Sequence, residues 1–278
     1  MVRDVAYVAI PGSRDDVLKT LQDHKVSGVP VIKKDEVVGM ITRTDLLHNR
    51  EEDQTALLMT RDPVVISPDK SVIEASRLLI KHDIRRLPVV EDKKLVGIIT
   101  VADIVRVAAD LGIKESIEPY LEKETAVLWS EMPLPVAGSI MESAAVQACP
   151  VIDTSLKLVG MISDRDLIKT SVIEDSLEKT DMSANDGEDT WMWDRVMQTV
   201  SKYYTVSRIK LKNILVSEAM VPPIMAHKKD EVGKCARIMA KNRIDQMPVV
   251  TSSGKLMGML KDNDILRALI DHSKHKAV

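Results

Sequence analysis

The sequence predicts an α/β (α+β) protein made of four repeats of β-α-β-β-α type, arranged as two pseudo-two-fold pairs. Two observations predict it. Four segments open with an apolar residue, proline and valine, pass through a glycine-containing strand, and turn into a helix at an aspartate. They run from Val29-Pro30-Val31 to Asp45, Leu87-Pro88-Val89 to Asp103, Cys149-Pro150-Val151 to Asp166 and Met247-Pro248-Val249 to Asp264. The first two copies also align without a gap at an offset of 58 residues, which places Met1, Arg3, Asp4, Ser13, Leu21, His24, Pro30, Gly39, Thr42 and Asp45 on identical residues. Chance would give about two or three identities over such a length. A unit seen four times sets the architecture before any single residue is weighed.

The second copy shows each element most cleanly. Val64-Val65-Ile66 is a short β run, and Ser67-Pro68-Asp69 ends it and offers a helix start. Val72, Ile73, Ala75, Leu78 and Leu79 share one face of a helix over 71–82. Pro88-Val89-Val90 is a second strand, Glu91 to Lys94 a polar hairpin turn, Leu95 to Thr100 a third strand, and Val101 begins the closing helix. A unit of about 55 residues cannot bury both faces of such a sheet and needs a partner. The tight spacing predicts that repeat one (1–53) pairs with repeat two (54–113), and repeat three (114–172) with repeat four (214–278). A fragment 1–113 is then expected to fold alone, and 1–53 is not.

The proline-to-proline spacing is 62 residues into repeat three and 98 into repeat four, so residues 173–213 are an insertion. Residues 174–189 are acidic and poor in apolar side chains, and read as a mobile linker. Trp191, Trp193, Tyr203 and Tyr204 follow, and Trp193, Val196, Met197 and Val200 keep helical spacing. Two readings are open: a helix packed on the second pair, or a docking surface for a partner.

Composition narrows the class. Hydrophobic residues make up 45% and charged residues 29%, a soluble globular balance. The net charge of -3 argues against a general nucleic-acid binder. No apolar run approaches the roughly 18–20 residues that cross a bilayer, and Asp4 stands where a signal peptide needs an apolar core. The expectation is a cytoplasmic protein without membrane association. The two cysteines, Cys149 and Cys235, provide no disulfide framework. There is no Phe, so aliphatic side chains and Met carry the packing. His24 and His82 sit at equivalent positions near a helix end, where His is favourable against the macrodipole. No His/Cys grouping has metal-ligand spacing. No nucleophile–base pair, P-loop or Rossmann fingerprint is found, so the reading is of a protein that is not an enzyme.

The apolar-Pro-Val strand start, the following glycine and [Ser/Thr]-x-x-Asp at the last strand–helix junction together resemble the cystathionine-β-synthase (CBS) domain family. The likeness covers the chain except roughly 173–213. The general type it is most similar to is the four-repeat regulatory protein, such as the gamma subunit of AMP-activated protein kinase and stand-alone archaeal relatives. The resemblance implies an adenosine-containing ligand between paired repeats, with AMP, ADP, ATP and S-adenosylmethionine all open. It also implies signalling to an unidentified effector protein, and leaves room for a homodimer. A scaffold with empty clefts is the competing reading.

In the family the closing aspartate accepts hydrogen bonds from ribose hydroxyls, which implies Asp45, Asp103, Asp166 and Asp264 as ribose ligands. A carboxylate has two oxygens that match a vicinal diol. The hydroxyls of Thr42, Thr100 and Ser163, with the free N–H groups of the helix start, suit phosphate. The same pattern is equally a capping box, which needs no ligand. Lys261 breaks the pattern and either touches phosphate or disables its site. Arg85 and Arg86 precede Leu87-Pro88, where the gamma-subunit type places phosphate-reading basic residues; Arg43 and Arg165 lie inside the junction motifs. Guanidinium binds phosphate bidentately. The other copies have Ser27-Gly28, Gln147-Ala148 and Asp245-Gln246 before the proline, so positive charge is concentrated in the first pair. The resemblance places the adenine against the first strand of a repeat, at Val64, Val65 and Ile66 or at Ile224, Met225 and Ala226; core packing is the alternative. The second pair is expected to bind more weakly, least of all near Asp264.

Overall fold

A computed structural model of the chain describes residues 1–49, 52–179 and 203–276. It divides into two compact units, one built from 1–123, 224–252 and 257–278, the other from 124–223 and 253–256.

Repeat one comprises β1 (Val8–Ala9), α1 (Arg14–Asp23), β2 (Gly28–Lys33), β3 (Glu36–Thr42) and α2 (Arg43–His48). A short helix α3 (Thr55–Leu58) and β4 (Thr60–Arg61) lead into α4 (Val72–Lys81), β5 (Arg86–Glu91), β6 (Lys94–Thr100) and α5 (Val101–Leu111) of repeat two. The predicted β run at Val64–Ile66 is reduced to one parallel bridge, Ile66 to Val89. Ser13 and Ser71 cap α1 and α4 through reciprocal bonds with Asp16 and Glu74, and Gly112, at φ 59, closes α5 in the left-handed conformation.

Repeats one and two exchange their leading segments. β4, in the leading segment of repeat two, pairs with β3 of repeat one, Thr60 opposite Met40. The leading segment of repeat one bridges in turn from Val2 to Ile98 in β6. The methionines just before these contacts lie over glycines. A Cβ on Gly39 would meet Met59 Sδ at 2.5 Å, and one on Gly97 would meet Met1 Sδ at 2.8 Å. The hairpins also meet directly, Glu36 opposite Lys94. This reciprocal exchange is the predicted pairing of repeats one and two.

Repeat four contains β12 (Ala226–His227), α9 (Val232–Asn242), β13 (Gln246–Val250), β14 (Leu256–Lys261) and α10 (Asp262–Lys276), entered from α8 (Val216–Ala219). Its β14 takes a leading segment in the same way, with Met259 bridged to Glu122. Its helices, however, pack on repeat two. One apolar core holds Leu79, Leu87, Ile104, Val105 and Ala108 of repeat two together with Val232, Ala236, Met239, Ile265 and Leu269 of repeat four. Repeat one keeps a smaller core of its own around Val17, Val31, Ile41 and Leu46. Strand exchange therefore follows chain order, while helix burial joins copies far apart in sequence. This corrects the expectation that repeats one and two suffice for each other: the helical face of repeat two is buried by repeat four.

In the second unit, repeat three has β7 (Leu128–Trp129), α6 (Leu134–Ser143), β8 (Ala148–Ile152), β9 (Leu158–Ser163) and α7 (Asp164–Thr170). Its core contains Leu128, Leu134, Cys149, Val151 and Ile162. Met161 bridges to Val221, and Gly160 lies under Met220, repeating the Met-over-glycine contact. The insertion corrects another expectation. Residues 171–179 form β10 (Ser171–Lys179), paired antiparallel with β11 (Tyr203–Leu211), so the start of the predicted linker is a strand and Tyr203 and Tyr204 lie in its partner. The predicted helix around Trp191, Trp193, Val196, Met197 and Val200 falls outside the described residues.

Candidate functional site

The four strand–helix junctions are built alike. Thr42 caps α2: its N–H and hydroxyl donate to Asp45 Oδ2 at 2.7 and 2.6 Å, and the Asp45 N–H returns to the hydroxyl at 3.5 Å. Thr100 does the same with Asp103 at 2.9, 2.7 and 3.3 Å. Ser163 donates to Asp166 Oδ2 at 3.1 and 2.6 Å. At Lys261 only the backbone N–H donates, to Asp264 Oδ2 at 2.8 Å. Capping thus uses one carboxylate oxygen in every copy and leaves the other for a second partner.

That second oxygen separates the copies. Asp103 Oδ1 accepts from Arg106 at 3.0 Å, Asp166 Oδ1 from Lys169 at 3.5 Å and Asp264 Oδ1 from Arg267 at 3.1 Å. Each cation stands three residues after its aspartate. In repeat one that position is His48, and among the described residues no cation lies on Asp45 Oδ1. Asp264 is 3% exposed, and burial pushes its carboxyl above the ordinary value, opposed by the Lys261 N–H and Arg267. Lys261 Nζ pairs with Glu122 at 2.5 Å, so its charge is spent locally.

Positive charge gathers at the repeat-one junction. Arg86 begins in β5 opposite Thr100, but its side chain crosses to repeat one and donates through Nη2 to Ser27 Oγ at 2.6 Å. Its Nη1 is buried and makes no hydrogen bond among the described residues. A Cβ on Gly28 would lie 1.8 Å from that nitrogen, so the missing side chain is what admits the guanidinium. Gly28 pairs with Thr42 across β2–β3, and the Arg43 N–H donates to Ser27 O at 3.1 Å. Arg43 itself is exposed, touching Val26 O at 3.4 Å. Burial first, and then the cations Arg85 and Arg43, push the Arg86 pKa below the ordinary arginine value. An anion set among these groups would favour the charged guanidinium and offset the repulsion between the cations.

Arg85 does not join them. Its Nη2 donates to Asp262 Oδ2 at 2.6 Å and its Nη1 to Oδ1 at 3.4 Å, with Asp245 at 3.9 Å. The two adjacent arginines therefore diverge, one to repeat one and one to repeat four. Arg165 is exposed in the second unit. Of the residues expected at the adenine, Ile66 and Ala226 are buried in the shared core and Val64 packs against it, whereas Val65, Ile224 and Met225 are exposed. Tyr7, the counterpart of Val65 at the 58-residue offset, lines a cleft of about 360 Å³ with Arg3, Val5, Ile32 and Lys94. Sequence reasoning missed the Asp–cation pairs at three junctions, although their spacing of three residues was visible.

Cys149 and Cys235 are fully buried, and burial pushes their thiols up to about 11 and about 12. Among the described residues no group of three or more His, Cys, Asp or Glu could hold a metal ion. No helix among them is long and apolar enough to cross a membrane.

The fold recurs in solved structures. An uncharacterised conserved protein from Pyrococcus horikoshii superposes with a TM-score of 0.68 at 25% identity, covering 97% of both chains. Protein MJ1225 of Methanocaldococcus jannaschii, described as a candidate archaeal homologue of the AMP-activated kinase gamma chain, gives 0.65 at 21% identity over 97% of both. In sequence, MJ1225 is 25% identical over 56% of this chain and 62% of its own length. An inosine-5'-monophosphate dehydrogenase of Korarchaeum cryptofilum is 32% identical over 37% of this chain but only 22% of its own. The chain thus spans less than two thirds of these curated relatives. The CBS domain model matches residues 1–52, 55–110, 117–172 and 216–271, and the chain, repeat after repeat, belongs to the CBS domain family.

Proposed function

We propose that this is a regulatory protein that binds an adenosine nucleotide at the repeat-one junction and passes binding on to an effector protein. The observation that carries the reading is the buried Nη1 of Arg86, which makes no hydrogen bond among the described residues and is held beside Gly28 in the same junction as Asp45. A phosphate on Arg86 and Arg43 would satisfy charges that now repel. A ribose diol on Asp45 would use the carboxylate oxygen that capping leaves open. A sensing role rather than catalysis suits a chain that is nearly all repeat. Ligand binding alters an effector only through unequal affinity for two arrangements of the protein. The other three junctions read as structural caps, since a diol there would displace Arg106, Lys169 or Arg267.

Calorimetric titration of the full chain with AMP and with adenosine tests this. Arg86→Ala should weaken AMP by about tenfold or more while changing adenosine about twofold, because only the nucleotide carries the charge that guanidinium reads. Asp45→Ala should weaken both. Equal losses for nucleotide and nucleoside in Arg86→Ala, or unchanged binding in Asp45→Ala, would assign these residues to the fold alone.

A further inference from the structure

Arg85 and Arg86 are neighbours, yet only one of them is available at the repeat-one junction. The Asp262 side chain is 8% exposed and holds Arg85 through both carboxylate oxygens, at 2.6 and 3.4 Å. Asp262 is itself fixed, because its N–H donates to Asp245 O at 2.8 Å. Asp245 stands in repeat four where repeat two has Arg85, and Asp262 stands where repeat one has Arg43. Repeat four thus carries acids at two positions that are basic in the first pair, and both face Arg85. The guanidiniums left at the repeat-one junction are Arg43 and Arg86. A phosphate monoester carries about −1.5 to −2 charges at neutral pH, which two guanidiniums balance. Each further phosphate brings charge that meets no additional arginine there.

We propose that Asp262 of repeat four sets the phosphate-number selectivity of the repeat-one junction by holding Arg85 away from it, so that the site takes a nucleoside monophosphate in preference to a triphosphate. This rests on the nucleotide-binding reading above. Arg85 is a specificity-determining residue through its absence from the site. Releasing it supplies a third guanidinium next to Arg86, within one residue of the same strand start.

The test is calorimetric titration of the full chain with AMP, ATP, inorganic phosphate and inorganic tripolyphosphate. Wild type should favour AMP over ATP. Asp262→Asn should shift the ATP-to-AMP affinity ratio, and the tripolyphosphate-to-phosphate ratio, upward by about tenfold, the order expected for one added charged hydrogen bond. The neutral pair Arg85→Gln with Asp262→Asn leaves no unpaired buried charge, and keeps the test open should the single variant fail to fold. It should bind AMP within about twofold of wild type and show no shift in either ratio. Unchanged ratios in Asp262→Asn overturn the proposal, even while AMP binding upholds the nucleotide reading. A tenfold loss of AMP affinity in the neutral pair overturns it too, since Arg85 would then already contact phosphate. A gain for tripolyphosphate with AMP bound no better than inorganic phosphate supports the selectivity device and removes the adenosine reading.

Discussion

Replacing Gly233 by alanine probes the helix contact that joins repeats two and four. Gly233 is near the start of α9, and its N–H donates to Ile113 O at 2.9 Å. A Cβ there would lie 2.7 Å from Ile113 N, 2.8 Å from Gly112 C and 2.9 Å from Gly112 Cα. All three are backbone atoms, so no side chain can swing aside, and α9 must move off the end of α5. Overpacking of this kind costs about 1–3 kcal/mol. Alanine returns at most about 1 kcal/mol of helix propensity, less in a first turn. The net loss of about 1–2 kcal/mol lowers the melting temperature by about 2–8 °C in a unit of this size. Gly138→Ala is the control, because its Cβ would meet only side-chain tips, Leu211 at 2.6 Å, which can rotate, and Leu167 at 3.9 Å. Calorimetric melting of the full-length variants reads both. A Gly233→Ala protein that melts at or above the wild-type temperature would refute the claim that these helices are in fixed backbone contact.

Two further outcomes follow from the same packing and from one charged cap. The fragment 1–113 lacks α9 and α10, so Ile104, Val105 and Ala108, which the full chain buries, come to its surface; light scattering and circular dichroism should find it self-associated or without a cooperative melt, and a cooperatively melting monomer would contradict the shared core. Asp230 accepts from the His227 N–H at 2.9 Å and from Lys234 at 2.7 Å. Burial alone would raise its pKa, but these bonds outweigh it and hold the carboxyl below its ordinary 3.8. A depressed folded value means that the contribution is complete above 3.8 and is lost as pH falls through the folded value. Asp230→Asn should therefore flatten part of the acid limb of stability below pH 3.8, and an unchanged acid limb would show that the bonds add nothing.

The repeat, its β-α-β-β-α order and the capping aspartates were legible because they rest on local rules: proline at a strand start, hydroxyl and acid three residues apart, apolar spacing along a helix. The offset of 58 also displayed Met1 and Met59 as equivalents, but gave no hint that each leaves its own repeat to cover a glycine of the other. Strand exchange is a property of two chains of residues at once, and one copy read alone cannot show it. The burial of α4 and α5 by repeat four was hidden for a similar reason. Amphipathic helices advertise an apolar face, not the element that will cover it. At the candidate site, charge was counted along the sequence, where Arg85 and Arg86 look alike. In the folded chain an acid 177 residues away claims Arg85 and leaves Arg86 to repeat one.

Gly28 and Arg86 occupy the same position in the two copies and touch one another. Residues that coincide with a symmetry axis face a constraint that no others share: whatever one copy holds there, the other must leave room for. Two arginines would collide and repel, and two glycines would leave a void without a cation. Exchange of the two residues, Gly28→Arg with Arg86→Gly, would keep the volume and the charge while turning the guanidinium toward the opposite copy. The position thus gives the pair a handedness that its shared order of helices and strands lacks.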